Sequence, residues 1–197
     1  MSCSSLGDIQ SMETLGDIPS NYEDVEINAE YCRGQGYVIS SGELSGRLNF
    51  SFTSESDTAF VQFKDLLGRK TLFLILSGDN IEAWDILHNQ RYDNSSAIIS
   101  LPFLEMTTSR DLRNILWGKI PFVFITDASR ENSTLNGQIQ FYSQLSEIGP
   151  LVSKVTFLLD DRTKIEMLIT KREFNSQYPH LIKSIPESIP SAKLDRL

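Results

Sequence analysis

Side chains that alternate apolar and polar over several residues fit one local structure best, a strand with one face covered and one face wet. This chain repeats that pattern from Gly36 onward. Tyr37 and Ile39, then Leu48, Phe50 and Phe52, alternate with polar neighbours, and residues 60–64 continue the series. Leu72, Phe73, Leu74, Ile75 and Leu76 are apolar without interruption, which predicts a strand covered on both faces. Ser77-Gly78-Asp79-Asn80 is a turn, and the next strand is expected over 81–87. Later strands are expected at 122–125, 138–142, 155–159 and 165–170, with Asn136-Gly137 and Asp160-Asp161-Arg162 as turns between them.

One segment breaks the alternation. An apolar run over 97–106, interrupted by Pro102, leads into a short helix. Thr108 and Asp111 have capping-box spacing, Leu112, Ile115 and Leu116 form an i, i+3, i+4 stripe, and Gly118 with Pro121 beyond it supplies the stop. The expected fold class is therefore mainly β (α+β), an open, curved antiparallel sheet with a short helical insertion halfway along. A second short helix over 21–32 would place Val25, Ala29 and Cys32 on one face.

Charge divides the chain. Residues 1–31 hold seven acids and no Lys or Arg, so the remainder, with 19 acids against 18 bases, is close to neutral although the whole carries −8. A neutral body argues against nucleic acid as the main partner, because phosphate neutralisation needs a basic face. Residues 1–20, rich in Ser, Gly and Asp, read as a flexible acidic tether ahead of a domain at 21–197, spanning on the order of 25 Å as a coil. Cys3, behind Met1-Ser2, has the place of a lipidation site at the head of such a tether, and a chance cysteine is the plain alternative. A Cys3–Cys32 bridge is open on sequence grounds and nothing favours it.

Catalytic and metal motifs are lacking. His88 and His180 stand far apart, with no partner at a metal-ligand spacing, and read as surface or turn residues. Asp160-Asp161 lies where a hairpin must turn, which outweighs acid–base chemistry there. The Asn49, Asn94 and Asn132 sequons read as coincidence, since Asn49 is mid-strand. No enzyme, cofactor or metal is expected.

Asp65-Leu66-Leu67-Gly68 is the unusual turn. Asp and Gly suit a hairpin, but two leucines at its tip do not suit water, and Lys64, Arg69 and Lys70 form a basic collar around them. An apolar point in a basic collar fits shallow insertion among lipid headgroups. The plain alternative is a loop folded back so that the leucines pack inside.

These residues resemble the LolB family of outer-membrane lipoprotein receptors, within the LolA/LolB superfamily. Arg33-Gly34-Gln35-Gly36-Tyr37-Val38-Ile39 is similar to the family's first strand, and Gly46-Arg47-Leu48-Asn49-Phe50-Ser51-Phe52 to its second. Asp65-Leu66-Leu67-Gly68 resembles its Pro-Leu-Gly loop, with Leu67 in the place of the membrane-inserting leucine and Asp65-Leu66 departing from the usual Asn-Pro. Residues 112–121 resemble its mid-chain helix with a Gly-x-x-Pro exit, and 155–174 its late hairpin. The likeness covers about residues 30–175 and rests on pattern and order, and the Pro-rich end does not match a closing strand.

The resemblance implies a half-barrel sheet enclosing a helical lid and an apolar cavity, lined by Phe50, Phe52, Phe73, Ile75, Leu101, Phe103, Leu112, Ile115 and Leu116. The reading of those residues by pattern alone is a closed core. It further implies a monomeric, periplasm-facing protein held in the bacterial outer membrane through Cys3. Such a protein takes lipoproteins by their acyl chains from a LolA-like periplasmic carrier and inserts them among outer-membrane phospholipid. The alternatives are a carrier or stress-sensor domain on the same fold, or an interaction module whose Leu66–Leu67 loop docks a protein.

Overall fold

The computed structural model describes residues 13–15, 25–42, 45–55, 57–93, 102–121, 137–160, 162–175 and 184–192. Among them the strands are β1 (Glu13–Leu15), β2 (Cys32–Ser41), β3 (Gly46–Ser54), β4 (Thr58–Lys64), β5 (Lys70–Ser77), β6 (Asn80–Asp85), β7 (Gln90–Tyr92), β8 (Gln138–Ser146), β9 (Gly149–Leu158) and β10 (Lys164–Phe174). They form one open, curved antiparallel sheet in the order β1-β8-β9-β10-β2-β3-β4-β5-β6-β7. The mainly β class expected from alternation is the class observed. The topology is two meanders, β2 to β7 and β8 to β10, joined where β10 pairs with β2 from Lys164↔Ser41 to Phe174↔Cys32.

The helix, α1 (Ser109–Trp117), follows a 3-10 turn at Pro102–Glu105. Its capping box is as the sequence dictates. Asp111 N–H donates to Thr108 Oγ1, and the Asp111 carboxylate accepts from Thr108 N–H at 2.9 Å. Gly118 takes φ +89°, the left-handed conformation that ends a helix, and donates to Ile115 O. Its Leu112, Ile115 and Leu116 stripe packs on the sheet beside Phe50, Phe52, Val155 and Phe157, each at most 4% exposed.

Gly34 and Gly36 on β2 explain how large rings fit there. A Cβ on either would strike the Phe52 or Phe50 ring, respectively, and the backbone of β10. Their absent side chains let the two phenylalanine rings approach the β2 backbone closely.

Strand β5 is covered twice, as its unbroken apolar run requires. Leu74 and Leu76 join the helix-side core, while Phe73 and Ile75 face the other way and pack with Ile185, Phe60, Trp84 and Ile189. The cover on that second side is the C-terminal segment 184–192. Its end runs beside β7, with Arg91 N–H donating to Pro190 O at 2.9 Å and Ala192 N–H to Arg91 O at 2.8 Å.

Several expectations are corrected. Phe73 and Ile75 do not share a face with Phe50 and Phe52, because strand parity puts them opposite Leu74 and Leu76. On β2 the helix-side positions are Gly34, Gly36 and Val38, and Tyr37 pairs with exposed Asn49 and sits under the Arg47 guanidinium at 4.2 Å. Residues 25–31 contain no helix, and Cys32 opens a strand instead. Cys32 is a free, fully buried thiol. Three residues of the stretch read as a tether, Glu13–Leu15, pair with β8. The expectations for Cys3, Leu101, His180, Asn94, Asn132 and 122–125, and for the other residues of 1–20, lie outside the described residues.

Candidate functional site

The β4–β5 hairpin carries the candidate site, and Asp65 builds it. Its backbone N–H donates to Arg69 O and its C=O accepts from Gly68 N–H, both at 3.0 Å, closing a tight turn. Its carboxylate accepts from Leu67 N–H and Arg69 N–H at 2.9 Å each, and from Arg69 Nε at 2.7 Å. Gly68 takes φ +80°, open to a residue without Cβ at little cost. Desolvation alone would raise the Asp65 pKa. The hydrogen bonds from Arg69 and Leu67 and the Arg69 charge outweigh it and hold the carboxyl below its ordinary value.

With its polar groups committed inward, the turn holds Leu66 and Leu67 out. They are 72% and 80% exposed, so the loop does not fold back over them. Lys64 and Lys70 pair across the base of the hairpin and are exposed. Arg69 is partly neutralised by Asp65. The structure thus brings Leu66, Leu67, Gly68 and the basic collar together as the sequence places them.

The neighbouring β6–β7 turn lies at the same end of the sheet and adds Leu87, 58% exposed. It is tied to the first hairpin's strand by Ile86 N–H donating to Thr71 O at 2.9 Å. The sequence pattern does not reveal Leu87, because 81–87 reads as one strand, whereas β6 stops at Asp85. His88 belongs to this turn, with Nδ1 2.7 Å from Asp85 Oδ2. Asp160 likewise organises a turn, accepting from Arg162 N–H at 2.7 Å and Thr163 N–H at 2.6 Å.

The residues expected to line an acyl cavity divide into two groups. Phe50, Phe52, Phe103, Leu112, Ile115 and Leu116 meet between α1 and the sheet, none more than 6% exposed, and Phe103 lies 5.6 Å from Phe157 ring to ring. Phe73 and Ile75 are on the opposite side. Polar ties hold α1 over the first group. Trp117 Nε1 donates to Ser54 Oγ at 2.8 Å, and Arg113 donates to Gly78 O at 2.9 Å. Arg172 donates from Nε to Leu116 O at 2.8 Å and from Nη2 to Ile115 O at 3.0 Å and to Val152 O. Its burial lowers its pKa to about 10, opposed by the nearby Cys32, so it stays charged at neutral pH. Nothing in the sequence marks Arg172, since a lone arginine near a strand end carries no periodic signal.

Among the described residues, no group of three or more His, Cys, Asp or Glu is placed to hold a metal ion, and no helix is long and apolar enough to cross a membrane.

No protein-family model matches this chain, and no curated protein matches it. Among solved structures, an uncharacterised conserved protein from Thermus thermophilus is similar over 84% of this chain and 91% of that one, at 8% identity and a TM-score of 0.44.

Proposed function

We propose that this protein is a membrane-docking lipoprotein receptor of the LolB kind. It accepts lipoproteins from a LolA-like periplasmic carrier by their acyl chains and inserts them into the outer membrane. The observation that carries the reading is the hairpin tip. Two adjacent leucines, 72% and 80% exposed, are held out by a turn whose polar groups are satisfied internally, inside a ring of cations. Water disfavours that arrangement, whereas a bilayer interface provides both an apolar layer for the leucines and phosphates for the lysines.

In this reading the open sheet is the half-barrel, α1 is its lid, and the side chains beneath α1 are where an acyl chain goes. Cys3 carries the lipid anchor. Transfer needs no nucleotide, because a tenfold affinity difference between donor and acceptor takes only about 1.4 kcal/mol.

The test mixes protein lacking the anchor (Cys3→Ser) with a carrier loaded with a labelled lipoprotein, then adds liposomes. Native protein is expected to take the cargo and pass it on. Leu67→Glu is expected to take it and hold it. If native protein takes no cargo, the receptor reading fails, and a module that docks a protein through the same tip becomes the better account.

A further inference from the structure

At the end of the sheet away from the Leu66–Leu67 tip, a pocket of about 350 Å³ opens beside the C-terminal end of α1, a volume within the range of small-ligand sites. The last residues of β10 and the β8–β9 hairpin form it. Its walls join apolar Leu151, Ile169 and Phe174 to polar Gln144, Ser153 and Thr170, and its lip carries Leu145 and Ile148, 72% and 47% exposed. Arg172 closes its inner side. Two of that guanidinium's nitrogens, Nε and Nη2, are spent on the carbonyls of Ile115, Leu116 and Val152. Among the described residues Nη1 makes no hydrogen bond and no carboxylate pairs with the group, yet Nη1 is not fully buried, and Arg172 is among the pocket's lining residues.

The other lining charges do not neutralise it. Lys171 is paired with Glu173 at 2.6 Å, and Glu147 is exposed on the rim. A largely buried cation with two free N–H groups at the base of a pocket that also offers Leu151, Ile169 and Phe174 suits an anion that brings an apolar body with it. The volume suits one chain better than two.

We propose that this pocket binds a single-chain amphiphile with an anionic oxygen headgroup, the head on Nη1 of Arg172 and the chain running past Leu151 and Phe174 to the Leu145–Ile148 lip. The site is separate from the membrane tip and adjoins the core beneath α1 through Ile169 and Arg172, and it stands whether or not the protein is a lipoprotein receptor.

The full-length protein is titrated with palmitate, lysophosphatidylglycerol and hexadecanol below their micelle concentrations, following methyl NMR signals of Leu145, Ile148 and Ile169. Palmitate or the lysolipid is expected to shift these signals, and whichever does so identifies the head as carboxylate or phosphate. Hexadecanol, without the charge, is expected to bind roughly ten- to a hundredfold more weakly. The variant Leu145→Asp/Ile148→Asp alters only exposed side chains, so it keeps the native melting curve and is expected to lose binding. Leu67→Glu is expected to bind as native does. The proposal is overturned if hexadecanol binds as tightly as the anions, if neither anion moves these signals, or if the lip variant binds unchanged.

Discussion

Replacing Leu66 and Leu67 together by serine removes the tip's apolar surface and touches nothing else in the fold. A leucine moved fully from water into an apolar layer gains roughly 1.5–3 kcal/mol. Scaled by exposures of 72% and 80%, the pair contributes about 2–5 kcal/mol to membrane partitioning. That corresponds to roughly a 40- to 2000-fold loss in vesicle affinity for the double variant. The collar adds a separate part. Lys64 and Lys70 contribute about 1 kcal/mol each near an anionic surface, and Arg69, tied to Asp65 at 2.7 Å, contributes less. Flotation with phosphatidylglycerol vesicles at rising salt separates the two, because only the cationic share is screened. Leu66→Ser/Leu67→Ser should lose affinity at every salt concentration, and Lys64→Gln/Lys70→Gln only at low salt. The reasoning is refuted if the serine variant floats as native does. It is equally refuted if that variant melts several degrees lower, since the leucines would then be packing within the protein.

Three further outcomes follow from the structure. Ile115→Ala, at a fully buried position under α1, should cost roughly 2–5 kcal/mol in urea unfolding. Cys32, whose pKa burial pushes up to about 12 against the nearby Arg172 charge, should resist thiol reagents at pH 8 in Cys3→Ser protein until the chain unfolds, as timed labelling would show. Desolvation alone would raise the Glu166 pKa, but the hydrogen bonds and charges of Lys154, at 2.6 Å, and Lys164, at 2.9 Å, outweigh it and hold the carboxyl below its ordinary value. Its stabilisation is therefore complete above the ordinary carboxylate range and lost as pH falls through its lowered folded value, so Glu166→Gln should flatten the acid limb of the stability–pH curve.

What the sequence made legible is what depends on local period and local capping. The Thr108–Asp111 box, the Gly118 stop and the Leu112, Ile115, Leu116 stripe all lie within or at the ends of one short helix, and the helix stands where they place it. The hairpin tip was legible for the same reason, since Asp65 and Gly68 fix the turn without distant help. Parity across strands was not. Phe73 and Ile75 look as apolar as Leu74 and Leu76, and only the pairing of β4 with β5 decides which pair faces α1. The cover that makes the second face apolar comes from residues 184–192, far along the chain in a Pro-rich segment with no periodic signal. Gly34 and Gly36 did carry a readable clue. Two glycines at strand spacing, ahead of two phenylalanines at the same spacing, anticipate rings lying over a bare strand.

The closed state of the helix-side core sets a condition on the proposed transfer. Leu112, Ile115 and Leu116 are each at most 4% exposed, so an acyl chain enters beneath α1 only by displacing them. Losing their burial costs about 1.5–3 kcal/mol each, roughly 5–9 kcal/mol together, before the Trp117–Ser54 and Arg172 ties are counted. Each buried methylene of the incoming chain returns about 0.8 kcal/mol, so about 6–11 methylenes offset the opening. The chains of a mature lipoprotein exceed that length, whereas a cargo with short acyl groups does not. Affinity for acyl cargo should therefore be nearly flat for short chains and climb steeply beyond this threshold, a shape that a site open at rest would not give. A smooth rise from the first methylene would mean that α1 is not the lid and that the chain lies elsewhere on the sheet.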